Sequence, residues 1–418
     1  MKIKIYPGYA KGQVKVPPSK SLLHRSIICA CLAKGKSVIK NVVFSDDIKA
    51  TVNAFKSLGV KINKLENALE IISSGSLSIV GDEVIDCKES GSTLRFLIPI
   101  LVNTKGIYLS GRDSLLKRPL SIYEDLFNKY DIIFEKSENK IYINGELPAD
   151  NYEVLGNVSS QFISGLLFAL PLKNQDSIIK INGILESKKY VDMTIDVLDK
   201  FGILIEEKDS YYYIKGNQKY HACDYKVEAD YSQLAFFAVA GIINGDIKVT
   251  NVNYDSLQPD SEIVNIIKKM NGKVFKEKNC LRFIKSQTSS LDIDVSQYPD
   301  IAPILSVLAG LSSGVTRIYN AKRLRIKETD RLSAINHILN QLGVKTQIID
   351  DSYKIWGNNS FLSNEFDSYN DHRMVMSIAI ASLRANNAII INKAEAINKS
   401  YPHFFEDLQS LGIRIEYM

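Results

Sequence analysis

Six stretches of the chain, about seventy residues apart, run almost wholly apolar for nine to twelve residues: 22–33, 94–102, 162–170, 234–243, 301–311 and 374–383. A helix that is apolar all round has to be buried. A small polar cluster opens each of them: Pro18-Ser19-Lys20-Ser21, Glu89-Ser90-Gly91-Ser92-Thr93, Val158-Ser159-Ser160-Gln161, Asp230-Tyr231-Ser232, Tyr298-Pro299-Asp300 and Asn370-Asp371-His372-Arg373. The first turn of a helix presents unpaired N–H groups and a partial positive charge. Buried helices with Ser, Lys, Arg and Asp at their mouths form a receptacle for anions.

After each apolar helix the pattern predicts a strand, a loop and a second, amphipathic helix. The strands begin near Lys36, Gly106, Ser177, Asp246, Val315 and Ala388. The amphipathic helices end at Leu58-Gly59, Tyr130-Asp131, Phe201-Gly202, Asn271-Gly272, Leu342-Gly343 and Leu411-Gly412. Gly suits the left-handed residue that closes a helix, and Asp131 tolerates the same conformation. A strand or hairpin then ends the unit, as in 60–63 to 69–72 across a polar turn.

Sixfold repetition at this period signals repeated supersecondary units. One unit cannot cover its own buried helix; three can, with helices gathered inward and short sheets outside. An open solenoid would need polar end repeats, and none is present. The expectation is two closed α/β lobes of three units each, a first lobe over 19–228 and a second over 1–18 plus 229–418. The chain crosses at Val16-Pro17-Pro18 and around Val227-Glu228-Ala229, and the first strand completes the third unit of the second lobe.

At 418 residues the chain is too long for one ordinary core. The net charge of +5 is too small to imply nucleic acid, and no Lys/Arg block accompanies an aromatic stacking platform. No apolar run reaches the ~18 residues of a membrane span. The alternating start Met1-Lys2-Ile3-Lys4-Ile5 reads as a strand, not a signal peptide. Cys29, Cys31, Cys87, Cys223 and Cys280 lack metal or disulfide spacing and read as thiols of a cytoplasmic protein. The five histidines are scattered, so neither a metal nor a cofactor is expected.

The chemistry concentrates at helix mouths. Lys20 and Arg25 place two cations where the helix dipole disfavours them. Ser159, Ser160 and Gln161 offer three adjacent donors, more than N-capping requires. Lys327 and Arg331 are like charges four apart, an arrangement that costs a few tenths of a kcal/mol unless an anion lies between them. Asp300, after Pro299, is an N-cap by default, and beside Lys327 it would stay ionised and could act as a base. Arg373 sits at the mouth of a buried helix. One helix terminus supplies roughly 0.3–1 kcal/mol, whereas hydrogen bonds to charged groups supply about 1.5–3 each. Lys20, Arg25, Arg118, Lys327, Arg331, Arg373 and Lys399 would therefore carry most of the binding, enough for two multiply charged ligands.

Four motifs in order, Pro17-Pro18-Ser19-Lys20-Ser21 with Arg25, Ser159-Ser160-Gln161-Phe162, 325–332 around Lys327-Glu328-Thr329-Asp330-Arg331, and Asn370-Asp371-His372-Arg373-Met374, resemble the signatures of the 5-enolpyruvylshikimate-3-phosphate synthase family. The resemblance implies a two-lobed inside-out α/β barrel, each lobe three βαβαββ units, with the active site in the cleft between lobes. It implies transfer of the enolpyruvyl group of phosphoenolpyruvate to the 5-hydroxyl of shikimate 3-phosphate, releasing phosphate. By that analogy Lys20, Ser21, Arg25, Ser159, Ser160, Gln161, Ser187, Tyr190, Asp300 and Lys327 hold shikimate 3-phosphate. Lys20, Gly91, Arg118, Gln161, Arg331, Arg373 and Lys399 hold phosphoenolpyruvate. Asp300 takes the hydroxyl proton, and Glu328 with Lys20 moves protons at the methylene. The chain departs from the common family pattern at Glu89, Phe96 and Arg323.

A related UDP-N-acetylglucosamine enolpyruvyl transferase would carry Asn in place of Ser21 and a reactive Cys in the loop 111–117, where this chain has none. A non-catalytic anion-binding protein is the alternative from another class; Asp300 and Glu328 among so many cations argue against it. The expected partners are the two small anions, with no nucleic acid or membrane, and the expected state is a cytoplasmic monomer.

Overall fold

The structure is a computed structural model that describes residues 1–79, 84–103, 106–112 and 115–418. Asp113 and Ser114, in the loop 111–117, lie outside the described residues. The chain divides into two compact units, Pro18–Val227 and Met1–Pro17 with Glu228–Met418. The crossings fall one residue before the positions 18/19 and 228/229 expected from sequence. Among the described residues no helix is long and apolar enough to cross a membrane.

The unit Pro18–Val227 holds helices α1 (Lys20–Leu32), α2 (Asp46–Ser57), α3 (Gly91–Leu101), α4 (Ser121–Lys129), α5 (Ser160–Ala169) and α6 (Lys188–Lys200). The other unit holds α7 (Tyr231–Asn244), α8 (Ile263–Lys269), α9 (Ala302–Ala309), α10 (Arg331–Gln341), α11 (His372–Ala381) and α12 (Phe404–Ser410). The odd-numbered helices are the apolar runs. In α5, Phe162, Ile163, Leu166 and Leu167 have no exposed surface, and α7 is buried through residues 231–243. Burying each large apolar side chain is worth about 1.5–3 kcal/mol. That is why these helices need no polar face.

Among the described residues, six four-stranded sheets, three per unit, share one plan. A leading strand pairs in parallel with the strand after the buried helix; a terminal hairpin then adds two antiparallel strands. In one sheet Asn151–Leu155 runs parallel to Ser177–Asn182, Tyr211–Ile214 pairs antiparallel to the latter, and Ile205–Lys208 lies at the edge. The plan is closed across the sequence in each unit. Asp224–Lys226, at the end of the first unit, leads the sheet of Gly35–Lys40. Lys2–Ile5 lies between Ile389–Asn392 and Ile415–Tyr417, antiparallel to both. The first strand thus completes the last repeat, and one apolar core fills each unit.

Five amphipathic helices end on the residue expected to turn left-handed: Gly59, Asp131, Gly202, Gly343 and Gly412 all have positive φ. The fourth repeat differs, because Asn271 takes φ 65 and Gly272 does not turn. Gly272 is required for another reason: a Cβ there would lie 2.4 Å from Ile267 Cγ2.

Candidate functional site

Each unit gathers its helix mouths into one polar cluster. In Pro18–Val227, Ser19 caps α1, accepting from Leu22 N–H at 3.4 Å. Lys20 Nζ meets Asp47 Oδ2, at the mouth of α2, at 2.7 Å. Arg25, one turn deeper and 2 % exposed, donates from Nε to Thr194 Oγ1 at 2.8 Å, from Nη1 to the Ser21 carbonyl at 2.9 Å and from Nη2 to the Tyr190 carbonyl at 2.9 Å. All three acceptors are neutral. Burial lowers its pKa to about 10. Phe96, one of the departures from the family pattern, lies under this guanidinium with ring centroid and Cζ 5.2 Å apart.

The mouths of α3 and α5 are tied through Gln161, which donates to Ser92 Oγ at 2.9 Å and accepts from Arg95 Nη1 at 2.7 Å. Ser90 caps α3 and Ser159 caps α5, and Ser159 and Ser160 are both buried. Arg118, also buried, reaches over Gly91, where a Cβ would stand 3.0 Å from its Nη1. Ser187, ahead of α6, is buried with φ 57. A non-glycine residue in that conformation costs about 1–3 kcal/mol, a strain that concentrates at functional positions. Tyr190 is half-buried on the first turn of α6.

In the other unit Asp300 is the centre. It lies in the turn Pro299–Ile301 ahead of α9 and makes no cap bond. Instead its Oδ1 is 3.0 Å from Lys327 Nζ and 3.0 Å from Arg331 Nη1, and its Oδ2 is 3.2 Å from Arg373 Nη2. The mismatch between Lys327 and Arg331 is thus resolved by a carboxylate of the protein itself. Burial opposes the charge of Asp300, but Arg373, Lys327 and Arg331 outweigh it and hold its carboxyl well below the usual range. Lys327 is drawn below the usual lysine range, chiefly by burial.

Arg331 begins α10 and is 1 % exposed. Besides Asp300 it meets Glu328 Oε2 at 2.6 Å and grips Asp371 from Nε at 2.8 Å and Nη2 at 3.2 Å. Burial works against its charge, yet Asp371, Glu328 and Asp300 together raise its pKa. Asp371 also caps α11, accepting from Arg373 N–H at 2.9 Å. Arg373 Nη2 reaches Ser232 Oγ at 3.2 Å, and Lys399 Nζ donates to the Asn370 carbonyl at 2.6 Å.

The structure therefore groups the expected residues by unit. Lys20, Ser21, Arg25, Gly91, Arg118, Ser159, Ser160, Gln161, Ser187 and Tyr190 stand in one unit; Asp300, Lys327, Glu328, Arg331, Arg373 and Lys399 stand in the other. Sequence reasoning missed Arg95, Thr194 and the pairing of Asp371 with Arg331. Arg95 had a usable signal, since a cation inside an otherwise apolar helix has to find partners. Among the described residues no group of three or more His, Cys, Asp or Glu could hold a metal ion.

The family model described as EPSP synthase (3-phosphoshikimate 1-carboxyvinyltransferase) matches residues 6–408. Curated relatives named 3-phosphoshikimate 1-carboxyvinyltransferase include those of Clostridioides difficile (strain 630), 47 % identical with 99 % of this chain and 98 % of that one covered, and Clostridium novyi (strain NT), 44 % identical with 98 % and 97 % covered. Among solved structures, EPSP synthase from Acinetobacter baumannii superposes with a TM-score of 0.83 at 24 % identity, both chains covered in full. The enolpyruvyl transferase NikO from Streptomyces tendae gives 0.79 at 13 % identity, over 100 % of this chain and 98 % of that one. The structural likeness carries the inside-out α/β fold, and the sequence match carries the rest: the chain belongs to the EPSP synthase family.

Proposed function

We infer that the protein carries out its family's reaction, transfer of the enolpyruvyl group of phosphoenolpyruvate to the 5-hydroxyl of shikimate 3-phosphate with release of phosphate, a step of the shikimate pathway to aromatic amino acids. Arg25 is the observation in this chain that supports it best. A buried guanidinium held by a hydroxyl and two carbonyls has hydrogen bonds but, among the described residues, no counter-charge. Several kcal/mol of desolvation cost stay uncompensated until an anion arrives. A phosphate monoester supplies that charge.

The proposed division of labour follows the helix mouths. Lys20, Ser21, Arg25, Ser159, Ser160, Gln161, Ser187 and Tyr190, with Asp300 and Lys327, bind shikimate 3-phosphate. Lys20, Gly91, Arg118, Gln161, Arg331, Arg373 and Lys399 bind phosphoenolpyruvate. The 5-hydroxyl oxygen adds to C2 of phosphoenolpyruvate, Asp300 takes the hydroxyl proton, and C3 gains a proton from Glu328 or Lys20. Loss of a proton from C3 then expels phosphate and restores the double bond. Fixed cations stabilise the charged tetrahedral adduct without having to reorganise.

Asp300 as found is a weak base, because three cations stabilise its anion. Phosphate and carboxylate groups that draw Arg331 and Arg373 toward themselves would return proton affinity to Asp300. The base would then gain strength as its substrates arrive. The five free cysteines, four of them buried, favour a reducing compartment, the cytoplasm. Each unit encloses its own core, which favours action as a monomer.

The deciding experiment supplies purified protein with phosphoenolpyruvate and shikimate 3-phosphate and measures released phosphate. Release is expected with this acceptor and not with UDP-N-acetylglucosamine. The reverse preference, or tight binding of both ligands without turnover, would overturn the reading.

A further inference from the structure

Behind the cluster of the first unit runs a buried polar chain that the reaction chemistry does not use. His24 Nδ1 lies 2.8 Å from Thr51 Oγ1, Thr51 Oγ1 lies 2.7 Å from Thr93 Oγ1, and Thr93 Oγ1 donates to Ser90 Oγ at 2.7 Å. All four residues have no exposed surface. The proton on each hydroxyl fixes the direction. Thr93 gives its proton to Ser90, so on the next bond Thr51 donates to Thr93. Thr51 then has no proton left for His24, and the imidazole must donate from Nδ1. His24 is thereby held as the Nδ1–H tautomer. Its Nε2, fully buried, meets no hydrogen-bond partner among the described residues.

The chain joins three helix mouths. Lys20 and His24 are one turn apart on α1, and Asp47 and Thr51 are one turn apart on α2. The Lys20–Asp47 ion pair is therefore an outer rung and His24–Thr51 an inner rung between the same two helices. Through Thr93 the inner rung continues to Ser90, the residue that caps α3 and precedes Gly91. We infer that His24 is a positioning residue: through one directional hydrogen-bond chain it sets the spacing between Lys20 and the Ser90–Ser92 mouth of α3. This rests on the proposed role of Lys20 and Gly91 in holding phosphoenolpyruvate. Burial, then Lys20 and Arg25, keep the ring from taking a second proton, which would have to sit on the unpartnered Nε2.

The geometry distinguishes two conservative replacements. Asn places its amide where Nδ1 stands and can donate to Thr51; Gln places its amide near Nε2 and cannot. His24→Asn should keep KM for phosphoenolpyruvate within about 2-fold, and His24→Gln should raise it about 10-fold or more with a smaller change in kcat, since displacements of about 1 Å carry effects of that size. In parallel, the imidazole nitrogens of histidine-labelled protein are observed by NMR, with the His24 signals assigned by their loss in His24→Asn. The expected spectrum is a neutral ring with Nδ1 protonated and Nε2 bare, unchanged between about pH 8 and about pH 5.5. This arm needs no turnover, so it stands apart from the assignment of the reaction. A ring protonated on Nε2, or Gln serving as well as Asn, would overturn the inference.

Discussion

Replacing Asp371 by Asn separates two tasks of one buried carboxylate. The cap of α11 needs a single oxygen facing the Arg373 N–H, and Asn retains it. The grip on Arg331 needs two acceptors, and Asn sets an NH₂ group against one guanidinium N–H. Removing one partner of a buried ion pair costs about 3–5 kcal/mol. Arg331 still keeps Glu328 at 2.6 Å and Asp300 at 3.0 Å, which limits the damage. The expected loss is about 2–3 kcal/mol for Asn, with about 1 kcal/mol more for Ala, which also loses the cap. Trp356, the single tryptophan, lies in the strand Ser352–Trp356 of the same unit, so its fluorescence during denaturant unfolding reads the loss where it arises. In steady-state assays Asp371→Asn should raise KM for phosphoenolpyruvate about 10-fold, the equivalent of about 1.4 kcal/mol, and move KM for shikimate 3-phosphate much less. Wild-type unfolding together with an unchanged KM for phosphoenolpyruvate would refute the idea that this carboxylate fixes Arg331.

Gly91→Ala should raise KM for phosphoenolpyruvate several-fold while the melting temperature stays put, because the new Cβ, 3.0 Å from Arg118 Nη1, has to push that guanidinium aside; an unaltered KM would separate Gly91 and Arg118 from substrate. Lys20→Ala breaks a partly exposed pair worth about 0–1 kcal/mol of stability, so its melting curve should barely move while turnover falls about 100-fold or more. A variant that merely unfolds would make Lys20 structural. His24 has a folded pKa well below 6.5, so below that value the unfolded chain takes up a proton that the folded one refuses, and stability falls as pH drops. His24→Asn should therefore lose about 1.4 kcal/mol less than wild type on going from about pH 7.5 to about pH 5.5, read by circular dichroism in denaturant. Equal losses would show that His24 titrates normally.

The buried helices were legible because a helix covered on all sides needs no periodicity, only an unbroken apolar run, and the six runs became α1, α3, α5, α7, α9 and α11. The leading strands were not. Val84–Asp86, Asp224–Lys226, Asp292–Asp294 and Glu365–Asp367 are three residues each, too short to display alternation, and exist because a partner strand across the buried helix pairs with them. The like charges of Lys327 and Arg331 called for an anion between them, which in the sequence alone reads as the mark of a ligand site. That it is Asp300, 27 and 31 residues earlier, is a fact of packing. In the same way Thr194 is an ordinary helix residue until α1 lies beside it and Arg25 reaches across.

The first strand of the chain closes the last repeat, and this sets a timetable for biosynthesis. Lys2–Ile5 is made long before its neighbours Ile389–Asn392 and Ile415–Tyr417. The unit Pro18–Val227 has every one of its strands once Asp224–Lys226 has emerged. At 5–20 residues per second the ribosome then needs about 8–33 s to reach Ile389, during which Lys2–Ile5 waits with both edges unpaired. The protein is thus most open to wrong pairing between the completion of Pro18–Val227 and the emergence of Ile389–Asn392.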